Sequence, residues 1–381
     1  MFNNAKETVQ ALAAMLRKPE PQFHIPKNSY RLTADGTAKK KVIMTDEYLI
    51  LYNMATGREV MTGRDGNPDP FILEYPNMLD VGIMGHCLNK CEFCYQGDKH
   101  EPNMLLDDFK KIVDESQPYV NQIALGGRGD PNHHEDFNQI LKYAAEHDIV
   151  CNYTTSGIDL TFDQIMSTKQ YCGAVAVSNY DQTHTYEAIN RFIEAGVKTN
   201  IHFVLSEKNF HIAMDILKGE YVWEQRFPVD KLNAVVFLLF KPQGKGANLQ
   251  DWIVTKEHLA MFAEQIKEPR CNFKVGMDSC LVNKVMASRE LSEIEKMSLD
   301  TCEGSRMSSY ITPDMKLMPC SFGNHDEWGI SIKEKSIKEV WNASERFVHF
   351  RNILQDKPNT CPFFMERESS EESAGDTTNE T

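Results

Sequence analysis

The densest chemistry in the sequence sits in one short segment, Gly85-His86-Cys87-Leu88-Asn89-Lys90-Cys91-Glu92-Phe93-Cys94-Tyr95, where three thiols fall at Cys-x3-Cys-x2-Cys spacing. As thiolates, cysteines on one loop can wrap a metal centre. A structural zinc ion normally takes four protein ligands arranged as two paired hooks. No second close Cys or His pair follows in this loop, although His86 could complete a set of four. Three thiolates on a [4Fe-4S] cluster would instead leave one iron open to a substrate or cofactor, which suits chemistry better than electron storage. Cys271, Cys280, Cys302, Cys320 and Cys361 are strung through the last third, while Cys151 and Cys172 flank expected strands and read as core residues.

The elements that must position these thiols follow from periodicity. From Leu79 onward short apolar runs alternate with amphipathic stretches, the pattern of βα units on a parallel sheet. Strands are expected at Asp80 to Met84, Gln122 to Leu125, Val150 to Thr154, Ala174 to Ser178, Thr199 to Leu205 and Ala234 to Phe240, with a further one at Lys274 to Met277. Between them, Leu105, Leu106, Phe109, Ile112 and Val113 make one helical apolar face, and Phe137, Ile140, Leu141 and Ala144 make another. Thr161 with Gln164 forms a capping box, and Gly196 closes the helix that carries Ile189 and Phe192. Right-handed crossovers would curve six such units into a partial (βα)6 TIM-like barrel whose strand ends share one mouth, where the first loop carries the three cysteines. Asn200 and His202 alternate inward on the fifth strand. The α/β chain divides into an accessory region at 1–75, with a helix near Lys6 to Arg17 and a hairpin at Ala55-Thr56-Gly57, a barrel at 76–270, a cysteine-bearing domain at 271–363 and an acidic tail at 364–381. The tail from Ser369 has too few apolar residues to offset its ordering entropy.

Composition narrows the setting. The 381 residues are 41% hydrophobic and 25% charged, in the range of globular enzymes, and the net charge of -14 repels phosphate backbone, so no nucleic-acid partner is expected. The first twenty or so residues show no sustained apolar core, and the run Ala234 to Phe240 is too short to cross a bilayer, so no membrane association is expected. Ten cysteines without a secretory signal point to a reducing, cytoplasmic setting. The Lys241 to Gly246 segment lacks the GKS or GKT ending of a phosphate loop and reads as a substrate-gating loop. His133, His134 and Glu135, after the Gly126-Gly127 loop, read either as ligand contacts or as a solvated helix start.

Cys87, Cys91 and Cys94 followed by Tyr95, placed after the first strand of a βα series, resemble the radical S-adenosylmethionine (radical SAM) superfamily. The resemblance spans roughly Pro76 to Pro242. It implies a [4Fe-4S] cluster on the three cysteines, with SAM chelated at the open iron and cleaved to a 5′-deoxyadenosyl radical that abstracts a substrate hydrogen. It further implies SAM contacts from Tyr95, from Gly126 and Gly127 after the second strand, and from Asp130, Thr155 and Ser178. The family's Gly-Gly-Glu-Pro here reads Gly126-Gly127-Arg128-Gly129-Asp130-Pro131, with two residues inserted. Thr154-Thr155-Ser156-Gly157 looks like the family's Thr-Asn-Gly turn.

Cys302-Glu-Gly-Ser-Arg, Tyr310-Ile-Thr-Pro-Asp-Met-Lys-Leu-Met-Pro-Cys320, Trp341 and Cys361-Pro362 are similar to the SPASM/twitch extension of radical SAM peptide and protein modifiers. Met315 occupies the usual Gly of Gly-x4-Cys, and no cysteine follows Cys361. That similarity implies one auxiliary iron-sulfur cluster on Cys302, Cys320 and Cys361, with Cys280 as a fourth ligand. The function implied is hydrogen abstraction from a peptide, protein or amino-acid-derived substrate, with a reducing donor such as flavodoxin or ferredoxin. Two alternatives stand beside it, a radical SAM enzyme acting on a small molecule and a zinc-stabilised binding module.

Overall fold

The computed structural model describes residues 30–34, 39–98, 100–180, 182–223, 226–292, 295, 299 and 301–363. The helix expected near Lys6 to Arg17 and the acidic tail at 364–381 lie outside the described residues.

An antiparallel meander of four strands opens the described chain: β1 (Tyr30–Ala34), β2 (Lys39–Met44), β3 (Tyr48–Asn53) and β4 (Arg58–Gly63). The expected hairpin joins β3 to β4, with Gly57 at φ +73° supplying the left-handed residue its turn requires. Lys41 of β2 is fully buried and donates from Nζ to the carbonyls of Gln117, at 2.6 Å, and Val120. This ties the meander to the segment leaving the first barrel helix. Lys41→Met leaves two buried carbonyls without that donor and is expected to lower stability by about 2–3 kcal/mol, read from denaturant unfolding.

The main sheet has ten strands in the order β11-β10-β9-β8-β7-β6-β5-β12-β13-β14. Its central run is β5 (Met78–Val81), β6 (Gln122–Leu125), β7 (Val150–Thr155), β8 (Cys172–Ser178), β9 (Thr199–Leu205) and β10 (Ala234–Leu239). All six expected strands are present, the first displaced by two residues toward its start. The parallel register continues outward to β11 (Lys274–Met277) on one side and β12 (Ser308–Ile311) on the other. Strands β13 (Lys316–Met318) and β14 (Ile330–Ser331) then complete the sheet in antiparallel fashion. The sheet ends in β11 and β14, the open arrangement of a partial barrel. The carboxy-terminal strands therefore extend the barrel sheet through the β5–β12 pairing.

Alternation decides what faces inward. On β5 and β6, Leu79, Val81, Ile123 and Leu125 are buried toward the helices, while Met78, Asp80 and Ala124 line a cavity. Helices α1 (Leu106–Ser116), α2 (Phe137–Glu146), α3 (Phe162–Tyr171) and α4 (Thr183–Glu194) cover the outer face, where Phe109, Ile112, Ile140, Leu141, Ile189 and Phe192 belong to one continuous core. Each such side chain contributes about 1.5–3 kcal/mol by leaving water. The capping box at Thr161 and Gln164 forms as expected. Leu105 departs from its expected face, standing at the N-cap of α1 and largely exposed. Cys151 is buried opposite Cys172 in the β7–β8 register, as a core pair.

Met315 is the residue in the usual glycine position, and its φ is +66°. The turn from Thr312 to Lys316, closed by Thr312 N donating to Lys316 O at 3.0 Å, demands that left-handed backbone. A side chain there costs roughly 1–2 kcal/mol. Burial of the Met315 thioether in the core offsets that cost.

Candidate active site

The loop after β5 is built by close backbone approach. Glu101 N donates to Gly85 O at 2.9 Å, and a Cβ on Gly85 would lie 1.9 Å from Glu101 O, so the loop doubles back on itself only because Gly85 has no side chain. Cys87 Sγ accepts from Asn89 N at 3.3 Å, and Cys94 N donates to Cys91 O at 3.4 Å. Phe93, the aromatic residue before Cys94, packs between Tyr180 at 6.2 Å and Trp252 at 6.0 Å between ring centroids. Tyr180 lies close enough to Cys91 and Ser178 to interact with both, which links the thiol loop to the end of β8. Burial raises the Cys87 and Cys91 thiols above their ordinary value.

The two residues inserted after Gly126-Gly127 have a structural role. Arg128, buried, donates to Gln96 O at 3.3 Å and pairs with Glu101 at 3.5 Å, holding the far side of the cysteine loop. Gly129 lies against His86, where a Cβ would meet the His86 carbonyl at 2.1 Å. Asp130 accepts from Ser156 N at 3.0 Å and from the Ser156 hydroxyl, so it ties the second strand-end loop to the third. Burial still raises the Asp130 carboxyl, against those hydrogen bonds.

A cavity of about 1080 Å³ opens at these strand ends, and Cys87, Cys91, Cys94, Tyr95, Gly126, Gly127, Asp130 and Ser178 all line it. Thr155 does not. Its hydroxyl donates to Asn132 at 2.7 Å behind the sheet, and strand alternation gives the cavity to Thr154 instead. His202 lines the cavity, and burial pulls its imidazole down to about 4.

The opposite wall of the same cavity carries the second thiol set. Cys280, at the start of helix α7 (Ser279–Ser288), lines it with Cys302, before β12, and Cys320, after β13. Cys361, five residues beyond the helix Glu345–Asp356, is not among the lining residues but interacts electrostatically with Cys280, Cys302 and Cys320. Four separate elements thus bring four thiols together. Burial, then the neighbouring thiols, pushes Cys302 and Cys361 up to about 12 and raises Cys320, while burial raises Cys280 against the pull of the Lys241 ammonium. Gly304 touches this group, its Cβ position 3.5 Å from Cys302 Sγ.

Among the described residues, the only Cys, His, Asp and Glu trio with ligand atoms within 4.8 Å of one another is His134, Glu135 and Asp136. A zinc ion with 2.3 Å bonds would draw its sulfurs to about 4 Å apart. No three sulfurs of either set lie within 4.8 Å of one another among the described residues. His134 is occupied: Nε2 bonds to Met104 O at 2.8 Å and Nδ1 accepts from Asp136 N at 3.0 Å. Of the expected solvated helix start, Glu135 is exposed while His134 is buried and hydrogen-bonded.

The fold gathers further residues here whose roles the sequence did not indicate. Lys241 pairs with Asp278 and lies over the Phe322 ring at 4.3 Å; burial alone would lower its ammonium, but the Asp278 charge raises it. The Lys241 to Gly246 segment is a brace between both halves, with Lys245 N donating to Cys94 O at 2.9 Å and Gln243 to Phe322 O. Tyr310 extends from β12 until its hydroxyl would meet a Cβ on Gly127 at 2.5 Å. Gly127→Ala must place a side chain at φ +90° against Tyr310. It is expected to destabilise by about 2–3 kcal/mol, read as a lowered midpoint in thermal unfolding.

The observed orphaned Tyr310 hydroxyl, the open space over Gly126 and the three-thiol loop on one cavity wall fit a cluster with a polar small-molecule ligand beside it. No protein-family model matches the chain. The AdoMet-dependent heme synthase of Nitratidesulfovibrio vulgaris is 21% identical over 330 residues, covering 76% of this chain and 83% of that protein. Mycofactocin maturase MftC of Mycolicibacterium smegmatis is 23% identical over 300 residues, covering 73% of each. Among solved structures, Streptococcus suis SuiB bound to S-adenosylmethionine superposes with a TM-score of 0.59 at 17% identity, over 74% of this chain and 69% of SuiB. SuiB bound to its precursor peptide SuiA gives 0.57.

Proposed function

Starting from a chain similar to SPASM/twitch-type radical SAM enzymes in sequence, fold and cysteine loop, we propose that it modifies a peptide by SAM-dependent hydrogen abstraction. The observation that carries the reading is the single cavity with a three-thiol loop on one wall and Cys280, Cys302 and Cys320 of the second thiol set on the other. A relative that matures mycofactocin and a structural neighbour that holds a precursor peptide support the substrate class.

In this reading Cys87, Cys91 and Cys94 hold a [4Fe-4S] cluster that, with SAM and a low-potential electron, supplies a 5′-deoxyadenosyl radical. Gly126 and Gly127 let backbone approach the SAM amino group, and Tyr95, Asp130 and Ser178 border the same space. Phe93, Tyr180 and Trp252 fix the thiol loop and keep water from one side of the cavity. Cys280, Cys302, Cys320 and Cys361 hold an auxiliary cluster facing the substrate. A flavodoxin- or ferredoxin-type donor supplies the electron. Holding the reactive centre beside one C–H bond is the task the rigid strand ends perform.

The test is anaerobic reconstitution followed by dithionite, SAM and a candidate precursor peptide encoded beside the gene. Formation of 5′-deoxyadenosine together with a mass change in the peptide supports the reading. Iron-loaded protein that yields no 5′-deoxyadenosine overturns it.

A further inference from the structure

Lys241 follows β10 and is 7% exposed on the wall of the cavity that also carries Cys280, Cys302 and Cys320. Its ammonium pairs with Asp278 and lies 4.3 Å from the centre of the Phe322 ring. Asp278 stands two residues before Cys280, and Phe322 two after Cys320, so both of these partners are anchored beside thiols of the second set.

The fold fixes Asp278 in turn. Its Oδ1 accepts from Leu281 N at 2.8 Å, which caps the helix α7 that carries Cys280, and from Leu239 N at 3.2 Å at the end of β10, while Oδ2 takes the Lys241 ammonium. This clamp keeps the ammonium at the thiols. Its charge reaches Cys280, Cys320 and Cys361, and at Cys280 it outweighs the Asp278 carboxylate. Arg306 adds positive charge at Cys302 and Asp80 opposes it at Cys320, while Lys284, near Cys280, is exposed and screened by water. Reduction adds one negative charge to an iron-sulfur cluster, and its potential responds to the charge and hydrogen bonds around its sulfurs. A buried, poorly screened ammonium beside the ligands therefore favours the reduced form.

We propose that Lys241 raises the reduction potential of the auxiliary cluster held by Cys280, Cys302, Cys320 and Cys361, and so makes that cluster the stronger electron acceptor. The inference rests on the auxiliary-cluster reading above and adds which residue sets the redox poise of that cluster.

The experiment is an anaerobic redox titration of the fully loaded, full-length enzyme, following by electron paramagnetic resonance the cluster signal that SAM does not alter. Lys241→Met is expected to disfavour reduction by at least about tenfold, or about 59 mV for one electron, and Lys241→Arg to stay within that margin of the wild type. Asp278→Asn, whose amide oxygen still caps α7, is expected to shift the potential upward, because it leaves the ammonium unopposed. Opposite shifts from the two halves of one ion pair are not the result of a clamp that is merely structural. Equal potentials in the wild type and both charge variants overturn the proposal, as does a shift in the same direction in both. Lys241→Met leaves a buried carboxylate unpaired. Should that variant fail to load, Asp278→Asn decides alone, and a potential at or below the wild type overturns the proposal. Loaded enzyme without a SAM-independent cluster signal overturns the auxiliary-cluster reading and this inference together, whereas a signal whose potential does not move overturns only the role of Lys241.

Discussion

Cys94→Ala is expected to abolish SAM cleavage, lowering 5′-deoxyadenosine formation by at least about a thousandfold, or ~4 kcal/mol of activation free energy. Cys94 is one of three thiols on a loop that the fold holds from every side. Its backbone carbonyl accepts from Lys245, its neighbour Phe93 packs on Tyr180 and Trp252, and Tyr95 packs on Phe322 at 4.6 Å between ring centroids. Those contacts do not depend on the Cys94 sulfur, so the variant should fold while losing about four iron atoms per chain. Anaerobic iron and sulfide analysis, with chromatographic detection of 5′-deoxyadenosine, checks both parts. Full iron loading and unchanged cleavage in this variant would remove the loop from the catalytic assignment.

The Cys302→Ala, Cys320→Ala double variant is the second large effect, expected to lose the auxiliary cluster's iron, about four atoms per chain, while the first cluster stays. The four thiols of this set are partly buried, and desolvation favours their neutral forms. A bound cationic metal centre reverses the preference and so couples metal binding to the folding of the extension. The loss should therefore show as lowered stability of the carboxy-terminal region, read by hydrogen exchange in β12 and β13. SAM cleavage without substrate should survive, because the first thiol loop is untouched, whereas peptide modification should fall. Retention of the full iron complement would show that these cysteines are only core residues.

The two variants also separate the alternatives carried by the sequence. A zinc-stabilised module would lose zinc and stability in either variant and never form 5′-deoxyadenosine. A small-molecule enzyme would keep its turnover in the absence of any peptide.

The parts of this protein that could be read from the chain are those whose cause is local. Three thiols within one loop, strand and helix periods from Leu79 to Phe240, the Thr161 capping box and the Gly57 turn all depend on neighbours a few residues apart, and all appear as expected. Where a one-residue choice decided the outcome, local likeness was too coarse: Thr154 rather than Thr155 borders the cavity because successive side chains on a strand face opposite ways. Long-range packing decided the rest. Cys280, Cys302, Cys320 and Cys361 meet only because β12 pairs in parallel with β5, more than two hundred residues earlier, and brings the extension over the barrel mouth. That same pairing sets Tyr310 beside Asp80 and against Gly127. No period or motif encodes such a meeting, since it is chosen by the whole core burying its apolar surface at once.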